Sequence, residues 1–135
     1  MASGTILIVE DNTIQREGLA TVLRQRGFSV VPAADAREAV DLLERSEPDL
    51  VLLDMLIPNE AADGWWFFKQ RRKSPRLSSI PVLIVTALSV ASKEWANSLG
   101  AKGLIRKPID LEPLVTAIHH CLGNEPLNEP EAEAS

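Results

Sequence analysis

The chain has a single cysteine, Cys121, among 135 residues. That excludes an internal disulfide framework and fits a reducing compartment such as the cytosol. Long apolar runs are also missing. The strongest, such as Ile6-Leu7-Ile8-Val9, fall far short of the about 20 residues that a membrane span needs, so no span is expected. The opening Met-Ala-Ser-Gly has no basic flank with an apolar segment behind it, and no secretory signal is expected. No internal repeat is present. Basic charge is not in excess either. The net charge is −5, but residues 124–135 hold four acids (Glu125, Glu129, Glu131, Glu133) and no base, which leaves the body at −1. A nearly neutral body argues against a protein that coats nucleic acid.

What is there fits one globular domain. Hydrophobic residues make up 45% and charged residues 24%, and a chain of this length buries roughly two thirds of its unfolded surface around a single core. Residues 5–123 are expected to form that domain. Residues 1–4 are expected to be a flexible start, and 124–135, with Pro126 and Pro130, an acidic tail without fixed structure.

Three unbroken apolar runs dominate the pattern: Thr5–Val9, Asp49–Leu53 and Pro81–Val85. Rich in Val, Ile and Leu, they read as strands buried on both faces of a parallel sheet. Two weaker runs, Phe28–Val31 and Gly103–Arg106, complete a set of five. Helical spacing lies between them. Ile14, Leu19, Val22 and Leu23 share a stripe that ends at Gly27. Ala36, Ala39, Val40 and Leu43 share another behind Asp35, a candidate N-cap. Further helices are expected over Gly64 to Lys73, from Ser89 or Ser92 to Leu99, and from Asp110 to Leu122. The sequence therefore predicts an α/β fold, a five-stranded parallel doubly wound sheet with helices on both faces.

In such folds ligands bind beyond the C-terminal ends of the strands. Strand one ends in Glu10-Asp11, strand three in Asp54, strand four in Thr86, and strand five leads to Lys107-Pro108. Three carboxylates on one sheet edge repel one another. Lys107 offsets part of that charge, and a divalent cation would offset the rest. Hard oxygen ligands with a few waters suit Mg²⁺. A cation, a lysine, a hydroxyl and a free carboxylate together suit phosphoryl transfer to that carboxylate.

These residues carry a resemblance. Leu7-Ile-Val-Glu-Asp-Asn12, Leu52-Leu-Asp-Met-Leu-Ile-Pro58, Asp63-Gly64, Pro81-Val-Leu-Ile-Val-Thr-Ala87 and Lys107-Pro108 resemble the receiver domain of bacterial two-component response regulators, over about residues 5 to 122. The resemblance implies a flavodoxin-like (CheY-like) fold with strand order 2-1-3-4-5. It implies that Asp54 is the phosphoacceptor, supplied by a sensor histidine kinase or a phosphotransfer protein. Thr86 would bond the phosphoryl group and Lys107 would pair with it. Asp11 and Asp54 would ligate Mg²⁺, with Glu10 acting mostly through water and the backbone carbonyl of Leu56 as a further ligand. The Lys107-Pro108 bond would be cis. Such a protein is not an enzyme beyond catalysing its own phosphorylation and dephosphorylation.

Four departures from the family pattern stand out. The run Pro58–Gly64 is about two residues longer than usual. Leu104 occupies a position, three before Lys107, that is usually aromatic, which puts the usual switch in doubt. Trp65-Trp66-Phe67-Phe68 opens the third helix. Since each helical step turns about 100°, these rings cannot all face one core, and Trp66 is expected to be the exposed one. Leu56 and Leu88, two residues after Asp54 and Thr86, would flank the path of the hydrolytic water, and apolar side chains cannot orient it.

Other features read as ordinary. The cluster Lys69, Arg71, Arg72, Lys73 and Arg76 is expected to be a solvated helix end. His119 and His120 are expected to add favourable charge at a helix C-terminus, and Cys121 to be a small buried side chain. The expected protein is a cytoplasmic, single-domain response regulator, a monomer or weak homodimer, with no nucleic-acid or membrane partner. Its output would be a phosphorylation-dependent contact with a downstream protein, through the face formed by the fourth helix, fifth strand and fifth helix. Trp95 and Leu104 lie on that face, and Trp65 and Trp66 are further interface candidates. Three other readings stay open: a receiver portion of a larger hybrid kinase or regulator, a receiver-like module that binds without phosphorylation, and a flavin-binding flavodoxin-like protein. The last is least favoured, because Glu10-Asp11-Asn12 would repel a flavin phosphate.

Overall fold

The computed structural model describes residues 4–55, 63–88 and 91–123. Five strands, β1 (Thr5–Val9), β2 (Ser29–Ala33), β3 (Leu50–Asp54), β4 (Val82–Thr86) and β5 (Gly103–Arg106), alternate with helices α1 (Thr13–Gln25), α2 (Ala36–Ser46), α3 (Gly64–Arg72), α4 (Pro75–Ser78), α5 (Lys93–Leu99) and α6 (Leu111–Leu122). All pairings are parallel, and the order is β2-β1-β3-β4-β5, as the resemblance implies. The long Pro58–Gly64 run lies mostly outside the described residues, as do Leu56 and the acidic tail.

The apolar strand runs are explained by burial on both sides. Every residue of β3 and β4 is buried. Alternate residues along a strand face opposite ways, so Leu7, Val9, Val51 and Leu53 join one core, and Ile6, Ile8, Leu50 and Leu52 join the other. The first core is closed by Ala39 and Leu43 of α2, Phe67 and Phe68 of α3, and Ala96 of α5. The second is closed by Leu23 of α1 and by Leu114 and Ile118 of α6. The edge strands β2 and β5 are only partly buried, which matches their weaker sequence signal. β2 also runs to Ala33 and includes Pro32, because an edge strand tolerates a residue without an N–H.

The helix ends follow their caps. Asn12, Asp35, Asp63, Ser74 and Ser92 each accept a hydrogen bond from the backbone N–H three residues on. Ser92 therefore sets the start of α5, rather than Ser89. Gly100 and Gly123 adopt the left-handed conformation that ends α5 and α6.

Three expectations need correction. Trp65, not Trp66, is the exposed ring, at 46%. Trp66 is partly buried because the Arg37 guanidinium of α2 covers it, 5.2 Å from the ring centroid, and because it packs on the core. Arg71 does not belong to a solvated helix end. It is buried, and it donates to the carbonyls of Ser78 (2.8 Å) and Ile80 (2.8 and 3.1 Å), fixing the turn that leads into β4. Cys121 is half-buried rather than fully enclosed, and burial raises its thiol pKa.

Gly64 makes a tight approach to the residue that follows β3. A Cβ there would fall 2.6 Å from Met55 Sδ and 3.1 Å from Met55 Cα, so Ala at position 64 must push α3 away from the residue after Asp54. Gly18, in the middle of α1, has nothing within 4 Å of its would-be Cβ. The same substitution should therefore act with opposite signs. Gly64→Ala is expected to destabilise by about 1–3 kcal/mol. Gly18→Ala is expected to stabilise by about 0.5–1 kcal/mol through helix propensity. Urea midpoints of the two variants check this, and shifts in the same direction would refute the packing account.

Candidate functional site

Because every strand is parallel, all C-terminal strand ends reach one edge of the sheet. Between β1 and β3 the chain departs in opposite directions, to β2 on one side and β4 on the other, and that divergence leaves a crevice. Glu10 and Asp11 follow β1 on one side of it, and Asp54 ends β3 on the other.

The three carboxylates converge there. One oxygen from each of Glu10, Asp11 and Asp54 lies within 4.8 Å of the others. Glu10 and Asp54 are only 6% and 5% exposed, whereas Asp11 is open to solvent. Lys107, carried in from the end of β5, meets them. Its Nζ donates to Glu10 Oε1 at 2.9 Å, Asp54 Oδ2 at 3.0 Å and Gln15 Oε1 at 2.8 Å. An ammonium has three N–H bonds, so all three are used. The Lys107–Pro108 peptide bond is cis, and the Lys107 N–H donates to the Thr86 carbonyl at 2.9 Å. Thr86 is fully buried, and its Oγ1 accepts from the Leu88 N–H at 3.1 Å.

Electrostatics show an imbalance. Burial pushes the Glu10 carboxyl above its ordinary value, and the Asp54 carboxylate adds to that push. The Lys107 and Asn12 hydrogen bonds offset it only in part. Burial alone would lower Lys107, but its bonds to Glu10 and Asp54 outweigh burial and leave it raised. One ammonium facing three carboxylates leaves a formal charge of −2 in a small, partly dry volume. An oxygen-rich donor set with that residual charge fits one hard divalent cation.

The structure thus brings together Glu10, Asp11, Asp54 and Lys107, with Thr86 at the end of the neighbouring strand. Leu56 lies outside the described residues. Leu104 sits beside Ile84 in β5, partly buried against the core. Trp65 and Trp95 form an edge-on pair, their centroids 6.2 Å apart, joining the starts of α3 and α5. Two site residues carry no signal in the sequence motifs. Gln15 reaches Lys107, and Arg16 Nη1 donates to the Glu10 carbonyl at 2.8 Å. Both sit in the first turns of α1, which the Asn12 cap starts directly after Glu10 and Asp11. Their position four and five residues after Asp11 is the only available hint.

Replacing Lys107 tests this balance. With Lys107→Met, Glu10 and Asp54 stay buried without their shared cation, so in divalent-free buffer the variant should lose about 2–4 kcal/mol at neutral pH. Glu10, already raised by burial, would lose the hydrogen bond that holds it down, and would keep its proton to higher pH in the folded state than in the unfolded one. The folded variant is favoured while Glu10 is protonated, and the loss grows as pH rises through its raised value. Denaturant titrations between pH 5 and 8 read this directly. A loss that stays constant with pH would contradict it.

The profile of the response regulator receiver domain matches residues 6–119. Protein PilH of Pseudomonas aeruginosa is 33% identical over 118 residues, which cover 87% of this chain and 96% of PilH. Response regulator MprA of Mycolicibacterium vanbaalenii is 36% identical over 118 residues, covering 87% of this chain and 49% of MprA, so the chain spans about half the length of that relative. The crystal structure of a proposed response regulator from Chloroflexus aurantiacus superposes with a TM-score of 0.81 at 31% identity, covering 90% of this chain and 99% of the other. The strand order, the acidic crevice and these matches lead to one conclusion: the chain belongs to the response regulator receiver family.

Proposed function

We propose that the protein accepts a phosphoryl group on Asp54 from a sensor histidine kinase or phosphotransfer protein, in a Mg²⁺-dependent reaction, and acts as a single-domain response regulator. The observation that carries this reading is the buried Asp54 carboxylate. It is held by Lys107 within 4.8 Å of two further carboxylates, on the sheet edge that Thr86 also reaches.

One oxygen of Asp54 attacks phosphorus and the P–O or P–N bond to the donor breaks, leaving an aspartyl phosphate. Lys107 already touches Asp54 and can turn an N–H to a phosphoryl oxygen, because Gln15 and Glu10 hold its other two. Thr86 Oγ1 accepts one hydrogen bond in the resting structure and keeps its own hydrogen for the phosphoryl group. Glu10, Asp11 and Asp54 would hold the cation, which neutralises the transferred phosphoryl charge. The added charge then rebiases the loops at the sheet edge. Output passes through a protein contact on α5, β5 and α6, where Trp95 and Leu104 lie. These are the fourth helix, fifth strand and fifth helix of the sequence reading, renumbered because the short α4 intervenes.

Incubation with acetyl phosphate is expected to add one phosphoryl group by intact mass, only with Mg²⁺ present and not in Asp54→Ala. Absence of uptake under every condition would favour a module that binds without phosphorylation. Leu88, and Leu56 two residues after Asp54, offer no group to orient a hydrolytic water. Once the donor is removed, the label should persist well beyond seconds. Decay within seconds would exclude that role for the two leucines.

A further inference from the structure

Arg106 ends β5 directly beside Thr86 of β4 in the sheet register. Its guanidinium reaches back to the chain that follows Thr86. Nη1 donates to the Leu88 carbonyl at 2.8 Å, and Nη2 donates to the Ala91 carbonyl. Leu88 is held at its other end as well, since its N–H donates to Thr86 Oγ1. Thr86, Leu88 and Arg106 therefore close a ring of one strand pairing and two hydrogen bonds. A guanidinium presents its N–H groups in a rigid planar fork that can hold two carbonyls in fixed relation, a geometry that an ammonium on a flexible stem does not impose. The Thr86 hydroxyl uses a lone pair on Leu88, and the direction of that bond sets where its remaining hydrogen points.

We propose that Arg106 is a positioning residue for phosphoryl capture: by fixing the Leu88 carbonyl it fixes the Leu88 N–H, which orients the Thr86 hydroxyl for the group received at Asp54. This rests on the reading of Asp54 as phosphoacceptor. The bonds that Arg106 makes to the Leu88 and Ala91 carbonyls lie on the Thr86 side of the site. An effect carried through Thr86 is separable from a general structural role.

The test is a double-mutant cycle on binding of beryllofluoride with Mg²⁺, a phosphoryl mimic, followed by tryptophan fluorescence. Arg106→Ala is expected to weaken binding about 3- to 10-fold, the size of one net hydrogen bond. Arg106→Lys should weaken it nearly as much. In a Thr86→Val background, Arg106→Ala should change binding less than about 2-fold, because the hydroxyl it orients is gone. Equal weakening in both backgrounds, or none in either, overturns the proposal. Amide exchange at Leu88 in the ligand-free protein gives a readout independent of any phosphoryl chemistry. It should be about 10-fold faster in Arg106→Ala, and an unchanged rate overturns the proposal whatever the binding data show. If the unsubstituted protein binds no beryllofluoride while Leu88 exchange does accelerate, the phosphoacceptor reading fails and the orienting role falls with it.

Discussion

Two buried carboxylates can lie side by side at the end of this sheet because one ammonium is shared between them. Lys107 spends every N–H it has on Glu10, Asp54 and Gln15. Without that arrangement the apolar strands would deliver like charges into a partly dry crevice with nothing to offset them. The rest of the architecture serves this contact. β1 and β3 are adjacent, which brings Glu10 near Asp54. β5 is two strands away from β3, and the lysine must span that distance with its long side chain. The backbone bond from Lys107 to Thr86 anchors the base of that side chain.

The compensation is incomplete, and the shortfall defines the site. A fully neutralised cluster would be an inert structural ion pair. Here Glu10 remains raised despite its partner, chiefly because burial disfavours its charge, and three carboxylates still share one ammonium. The same shortage gives the crevice its capacity for a divalent cation. Asp11 is the exposed member of the trio, so the site opens toward solvent on its side.

Much of this was readable in the sequence, for a physical reason. A strand buried on both faces must be apolar throughout, so an Asp at the end of such a run, as at Asp54, stands out as a departure from burial. The same logic exposes Glu10 and Thr86, whereas Lys107 follows the partly buried edge strand β5 and was legible through its place after that strand and its pairing with Pro108. Parallel topology then collects them on one edge without further information. Contacts set by side-chain reach were not readable. Arg71 looked like one base among five, but the α4–β4 turn presents it with two carbonyls and it lies buried against them. Trp66 looked outward by helical angle alone, but the position of α2 places Arg37 over it. Arg106 gave no sign at all, because its role depends on where the chain after β4 turns.

The edge-on contact of Trp65 and Trp95 has a further consequence. The two rings belong to the helices that follow β3 and β4 in the chain, and they come from separate stretches of it. Coupled indoles at this spacing share their electronic transitions, so the near-ultraviolet circular dichroism of the protein is sensitive to the angle between α3 and α5. The molecule carries an optical gauge of the relation between these two helices, without any added label.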